Sequence, residues 1–206
     1  MTDGHDGTAG TGRQLRVLGI GGSTRPDSSS EQALRIAVRA ARECGADTEL
    51  VTSRELMLPI YDTQTPDRSP EARALVDAVR RTDAVIISSP GYHGTMSGMI
   101  KNALDYLEDL RGEDRPYLDG VPVGCIAVAY GWQATVSTLQ GLRVTVHALR
   151  GWPSPFGATV NAAECTFDGA GECSDATATE ALRRVGHQVA GFATVHAQAE
   201  AFDAAS

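Results

Sequence analysis

Apolar and polar positions along this chain alternate between two rhythms. Leu15-Arg16-Val17-Leu18-Gly19-Ile20 is a short apolar run of strand length, and Ala33, Ile36, Ala37, Ala40 and Ala41 then recur at the spacing of one helix face until Gly45 stops them. A second, more polar strand is predicted over Thr48 to Thr52, followed by the apolar, proline-broken loop Met57-Leu58-Pro59-Ile60-Tyr61. Ser69-Pro70-Glu71-Ala72 opens the next helix: serine caps it, proline fits its first turn, and Leu75, Val76 and Val79 face inward. Asp83-Ala84-Val85-Ile86-Ile87-Ser88 is apolar throughout its middle, as expected of a central strand covered on both faces.

The same alternation continues to the end. After a loop from Ser89 to Ser97, a third helix is marked by Ile100, Ala103, Leu104 and Leu107, and Val121 to Ala129 reads as a long fourth strand. A helix from about Ala134 to Leu149 carries Val136, Leu139, Leu142 and Val146, and Gly157 to Val160 is a short last strand. A polar excursion, Asn161 to Asp175, leads to a closing helix with Leu182, Val185, Val189, Phe192 and Ala193 on its buried face. Strands alternating with helices in this way imply a parallel sheet with helices on both faces, joined by right-handed crossovers. In such sheets ligands bind beyond the carboxyl ends of the strands, where the strand order reverses.

The loop after the first strand is the most informative in chemistry. Gly21-Gly22-Ser23-Thr24-Arg25-Pro26-Asp27-Ser28-Ser29-Ser30 combines small residues, four serine hydroxyls and the start of a helix, the composition of a phosphate cradle. It has no lysine, so it is not a P-loop, and Gly19-x-Gly21-x-x-Thr24 lacks the third glycine of a dinucleotide fingerprint. A terminal monophosphate held by hydroxyls and amides, with Arg25 as a forked cation, suits it better. FMN fits that description. The second loop, Ser89-Pro90-Gly91-Tyr92-His93-Gly94-Thr95-Met96-Ser97-Gly98, lets a planar ring approach the backbone and offers Tyr92 as a flat face.

Composition narrows the class further. The 206 residues are 42% hydrophobic, enough for one sizeable core, and the net charge of -8 argues against a nucleic-acid surface. Residues 1–13 are nearly devoid of apolar side chains and are expected to form a disordered tail ahead of one domain at 14–200. No run is long and apolar enough to span a membrane and none resembles a leader, so a cytoplasmic location is expected. Cys44, Cys125, Cys165 and Cys173 form no metal-ligand spacing and are expected as reduced thiols, with a Cys165 to Cys173 bridge as the alternative. Asp168 and Glu172 are expected to be solvated, and no metal site is expected.

With both loops in view, the chain resembles the NAD(P)H-dependent FMN reductase family of flavodoxin-like proteins. The resemblance rests on Gly22-Ser23-Thr24-Arg25 with its following serines, and on Ser89-Pro90-Gly91-Tyr92-His93-Gly94 leading through Ser97-Gly98 to Lys101-Asn102-Ala103-Leu104-Asp105. It covers roughly Leu15 to Val160 and implies a flavodoxin-like three-layer α/β sandwich whose five-stranded parallel sheet runs in the order 2-1-3-4-5. It further implies that Ser23, Arg25, Ser28, Ser29 and Ser30 hold the FMN phosphate, and that Pro90, Gly91, Tyr92, His93, Gly94 and Thr95 line the isoalloxazine ring. Relatives commonly carry Asn where His93 stands, and they are glycine-rich where this chain reads Tyr130-Gly131-Trp132; these three are expected at the cofactor, with Trp132 covering the ring or narrowing its access.

The flavin carries the chemistry in such a site, and no protein residue is required as a catalyst. NADPH or NADH is the expected reductant, with no basic pair marking either one. Reduced FMN would go to a flavin-dependent monooxygenase or a small acceptor; a quinone or azo reductase and a non-catalytic electron carrier are the alternatives. His93 is a candidate proton donor or a solvated loop residue. The resemblance implies a homodimer or homotetramer, for which Met57 to Tyr61 and the segment Met96 to Leu110 could supply contact surface or could equally be internal.

Overall fold

The computed structural model describes residues 13–168 and 171–204. Most of the expected tail lies outside the described residues; Arg13 is described and pairs with Asp83. The chain forms β1 (Arg16–Gly21), α1 (Ser29–Glu43), β2 (Asp47–Thr52), α2 (Pro70–Arg81), β3 (Ala84–Tyr92), β4 (Thr95–Met96), α3 (Gly98–Asp105), β5 (Pro122–Ala129), α4 (Trp132–Ala148), β6 (Trp152–Pro153), β7 (Ala158–Asn161) and α5 (Ala176–Ala204). Short 3-10 turns follow β2 (Ser53–Leu56) and α3 (Tyr106–Leu110).

The sheet runs β2-β1-β3-β5, with β6 and β7 both on the far side of β5. This is the expected 2-1-3-4-5 order with its last position divided. Trp152 and Pro153 pair with Pro122 and Val123, and Ala158 to Asn161 pair with Ile126 to Ala129. Pro153 and Pro155 explain the break, since neither has an N–H to donate to a ladder. Every main pairing is parallel; β4 alone is antiparallel, folded back on the end of β3.

Alternating strand residues face opposite layers. Leu18, Ile20, Val85, Ile87, Val123 and Cys125 join Leu75, Val79, Ile100, Leu104, Leu142 and Val146 in one core, under α2, α3 and α4. Val17, Ala84, Ile86, Ile126 and Val128 join Leu34, Ala37, Val38, Leu182, Val185 and Val189 under α1 and α5. Each fully buried Val, Leu or Ile among them contributes about 1.5–3 kcal/mol, so the two cores fix the sheet's register against a one-residue slip.

Three expectations need correction, those for the end of β3, for Phe192 and for Cys165 with Cys173. β3 does not end at Ser88: the buried Ser89 and Pro90 continue its parallel pairing with Ala127 and Val128 of β5, and Gly91 and Tyr92 continue it into the hairpin with β4. Of the α4 residues, Val136 is exposed, while Thr135 and Thr138 are buried with Leu142 and Val146. Phe192 on α5 is exposed and packs on Trp152, 5.9 Å away between ring centroids. Cys165 and Cys173 form a disulfide rather than staying reduced, drawn together by the antiparallel bridge between Phe167 and Cys173. Glu172 is exposed, as expected, and meets Arg39 of α1 at 2.9 Å in a surface ion pair. In the apolar loop after β2, Leu58 and Tyr61 pack inward while Met57 and Ile60 are exposed.

Candidate functional site

At the carboxyl edge of the sheet β1 and β3 are neighbours, but the chain leaves them toward opposite layers, opening a crevice between their exits. A cleft of about 310 Å³ lies there. Its β1 side is made by Ser23, Thr24, Arg25, Ser28, Ser29 and Ser30, its floor by Pro90, Gly91 and Tyr92 of β3, and its far side by Val128, Ala129, Tyr130 and Ala162.

Local chemistry fixes the polar side. Ser28 caps α1, accepting from the N–H of Glu31 at 3.4 Å, and its hydroxyl lies 3.2 Å from that of Ser30. The Ser88 hydroxyl donates to the carbonyl of Ser30 at 2.7 Å and Gly22 donates to the carbonyl of Ser88 at 3.3 Å, tying the loop to β3. Gly22 has φ 110°, a left-handed conformation that glycine adopts without strain. Ser23 closes on its own turn, its hydroxyl accepting from the N–H of Arg25 at 3.2 Å. The backbone N–H groups of Ser29 and Ser30 open α1 and have no partner among the described residues, and neither does the guanidinium of Arg25. Unspent amides at the positive end of a helix, beside an unpaired guanidinium, suit a phosphate.

Glu31 lies beneath this loop and is 3% exposed. Burial pushes its carboxyl up, but hydrogen bonds from Ser53 and Arg35, the charge of Arg35 and the Asp27 N–H outweigh that and hold it below its ordinary value.

The other side is aromatic and open. Tyr92, Tyr130 and Trp132 are all exposed, Tyr130 at 83%. A shallow depression of about 590 Å³ adjoins the cleft and shares Tyr130 with it; Gly94, Gly131, Trp132, Gln133, Ala134 and Ser137 complete its lining. Asn161 accepts from the N–H of Gly131 at 2.9 Å and so fixes the start of α4.

Of the residues singled out in the sequence, Ser23, Arg25, Ser28, Ser29, Ser30, Pro90, Gly91, Tyr92 and Tyr130 meet in the cleft, while Gly94, Gly131 and Trp132 reach the depression. His93 and Thr95 line neither. His93 (φ 51°) and Gly94 (φ 91°) form the two-residue tip of the β3–β4 hairpin, and Thr95 packs its hydroxyl against Gly141 of α4. Val128, Ala129 and Ala162 were not anticipated as lining; the end of β5 was legible as a strand end, whereas nothing in the sequence marks Ala162. Glu31 was also missed, although Ser28-x-x-Glu31 is a capping-box signature. Lys101 pairs with Asp105 at 2.5 Å, away from the cleft. Asn102 holds the loop after β2, donating to the carbonyl of Pro59 at 2.9 Å and accepting from the N–H of Tyr61 at 2.8 Å.

The family model for NADPH-dependent FMN reductases matches residues 15–164. The chain belongs to that family. An NAD(P)H-dependent FMN reductase of Pseudomonas aeruginosa is 27% identical over 171 residues, which span 82% of this chain and 90% of that protein. An NADPH azoreductase of a Bacillus strain is 32% identical over 90 residues, 43% of this chain and 47% of the relative, so that likeness covers about half of each. Among solved structures, a flavoenzyme NAD(P)H:(acceptor) oxidoreductase from Paracoccus denitrificans superposes with a TM-score of 0.72 at 20% identity, covering 88% of this chain and 98% of the other. A WrbA-like flavodoxin from Agrobacterium tumefaciens gives 0.63 at 14% identity over 89% and 99% of the two chains. The fold is therefore flavodoxin-like, and this FMN reductase family member is an oxidoreductase that uses FMN and NAD(P)H. The residues present fit FMN: the free amides of Ser29 and Ser30 with Arg25 suit its single phosphate, and the small Gly91 and Ala129 leave room for a flat ring beside Tyr92.

Proposed function

We propose that this single-domain FMN reductase, spanning 14–200, binds the FMN phosphate with Ser23, Arg25, Ser28, Ser29 and Ser30 and the ring against Pro90, Gly91 and Tyr92. Bound flavin supplies the redox chemistry, taking up hydride from a reduced nicotinamide. The chain's own contribution is placement. Amides and the Arg25 guanidinium hold the phosphate, Tyr92 backs the ring, and Tyr130 with Trp132 shapes the open side where the nicotinamide enters. No side chain is assigned as a proton carrier; His93, at the hairpin tip, has no part in the step.

One observation carries this reading: the Ser/Thr-rich loop after β1 and the Pro-Gly-Tyr end of β3, far apart in sequence, line one cleft. The purified protein should take up FMN with a flavin absorbance band, and added NADPH should bleach it. Turnover of excess FMN by NADPH, absent or much slower with NADH or the reverse, gives the nucleotide preference. A protein that bleaches once and does not turn over would be a carrier, contrary to this reading.

A flavin-dependent monooxygenase or a small acceptor would receive the electrons. The depression beside Tyr130 favours a small planar acceptor such as a quinone or azo compound binding on the same face as the nicotinamide. A cytoplasmic homodimer or homotetramer completes the proposal, supported by the exposed Met57 and Ile60 on a loop anchored to α3. Size-exclusion chromatography with light scattering tests it.

A further inference from the structure

A buried carboxylate lies directly under the loop assigned to an anion, which calls for a reason. Two donors converge on Glu31: the Ser53 hydroxyl at 2.5 Å and the Arg35 guanidinium at 2.6 Å. Asp27 (φ 54°) and Ser53 (φ 43°) are both non-glycine residues in the left-handed region. Such conformations are unfavourable for a residue with a Cβ and persist only where the surroundings hold them. Asp27 ends the phosphate loop just before the cap Ser28, and Ser53 begins the turn after β2. Gly22 lies against the same group: a Cβ there would stand 3.4 Å from the Cβ of Glu31 and 3.5 Å from the N of Ser53. One side chain therefore joins the first turn of α1 to the neighbouring β2 exit, with the beginning of the phosphate loop, Gly22, lying against it.

We propose that Glu31 is a positioning residue for phosphate recognition, holding the loop from Gly22 to Ser28 so that the amides of Ser29 and Ser30 and the guanidinium of Arg25 converge on the FMN phosphate. This rests on the assignment of that loop to FMN. The negative charge is tolerable because Arg35, four residues along α1, neutralises it on the helix side, and the Ser53 hydroxyl donates to its other oxygen. Arg25 and the helix amides then remain the uncompensated positive features facing the ligand. A helix cap alone would use only the Ser28 and Glu31 pair within the first turn. Reaching Ser53, 22 residues further on, serves the loop and not the helix.

The test is a comparison of FMN with riboflavin, which lacks the phosphate, by fluorescence titration of the full chain freed of flavin. Wild-type protein, Glu31→Ala, Glu31→Gln and Ser53→Ala are titrated with both ligands, and thermal melts are recorded in parallel. Losing a charge-assisted anchor should weaken FMN binding of Glu31→Ala about tenfold or more, with riboflavin affinity changed less than about twofold. Glu31→Gln, whose amide oxygen can still accept from Ser53, should recover part of the loss, and Ser53→Ala should show a smaller loss of the same selectivity. Equal weakening of both ligands, or no change in either, overturns the proposal and leaves Glu31 as a helix cap. Should Glu31→Ala not fold, Glu31→Gln and Ser53→Ala decide by the same criterion. Wild-type protein that binds FMN no better than riboflavin would instead overturn the phosphate assignment, and this inference with it.

Discussion

Gly91 is where the cleft meets the core, and replacing it by alanine tests the packing that shapes the site. A Cβ added there would stand 2.5 Å from Oγ1 of Thr138 on α4, 3.1 Å from the Cβ of Ala129 on β5 and 3.4 Å from the carbonyl oxygen of Ala134. The first contact is several tenths of an ångström inside normal van der Waals separation, and Thr138 is fully buried, so β3 or α4 must move. Overpacking of this kind costs about 1–3 kcal/mol, and in a domain of this size about 2 kcal/mol lowers the melting temperature by about 4–8 °C. Gly91 also lines the cleft, so FMN affinity should fall with it.

The clash has one principal partner, which makes the reasoning testable by a double-mutant cycle. Thr138→Ala removes the offending oxygen, and that hydroxyl has no hydrogen-bond partner among the described residues, so its loss sacrifices no bond. In the Thr138→Ala background Gly91→Ala should cost less than about 1 kcal/mol, leaving a coupling of about 1–2 kcal/mol between the two sites. Urea unfolding of the four proteins, with FMN titrations alongside, measures both quantities. If Gly91→Ala costs the same in either background, the close approach of β3 to α4 is not what demands glycine there.

Arg25→Ala should weaken FMN binding by about tenfold while leaving riboflavin binding and the melting temperature nearly unchanged, since Arg25 is exposed and has no ion-pair partner among the described residues. Hydrogen bonds from Arg68, against the opposing effect of burial, hold the carboxyl of Asp109 below its ordinary value. A depressed carboxyl contributes stability in full above its unfolded value of about pH 4 and loses it as pH falls through the folded value. Asp109→Asn should therefore be less stable than wild type at neutral pH, with a gap that closes in acid; a gap constant down to pH 2 would refute the assignment. Native alkylation followed by peptide mass spectrometry should label the exposed Cys44 alone. The buried Cys125 thiol, pushed up to about 12 by burial, should stay unreacted, and Cys165 with Cys173 should label only after reduction.

What the sequence revealed and what it hid follow from the range of the interactions involved. β3 was readable because Ala84 to Ile87 are covered on both faces, a requirement that leaves only apolar residues; its extension to Tyr92 depends on a hairpin partner two residues away and carries no hydrophobic signal. The helix over Ser29 to Glu43 announces itself by its cap and its alanine stripe, yet the role of Glu31 depends on Ser53, which reaches it only once β1 and β2 are paired. On α4 the apolar Val136 is exposed while the polar Thr138 is buried beside Gly91, a placement that follows from the small residue on β3 and not from hydrophobicity. The cysteine bridge depends on the fold of a loop without periodicity, which no spacing rule can supply.

The division of the cleft into a polar side and an aromatic side bears on how such a site can both hold and release its flavin. In the proposed assignment, phosphate recognition is concentrated on one continuous segment, Ser23 to Ser30, tied by buried hydrogen bonds to β3 and to the β2 exit. The proposed ring side has Tyr92, Tyr130 and Trp132 around it, all exposed. Affinity residing in the phosphate end leaves the ring's outer face open to a second planar molecule, and an aromatic rim stacks on nicotinamide, quinone or azo rings with little selectivity. A site so arranged should discriminate sharply between FMN and riboflavin but weakly among acceptors. Trp132→Ala should accordingly raise KM for several acceptors together while leaving FMN affinity within about twofold, because Trp132 lines the depression and not the cleft. An effect confined to FMN would place the ring on the α4 side of Tyr130 and reverse the assignment of the two cavities.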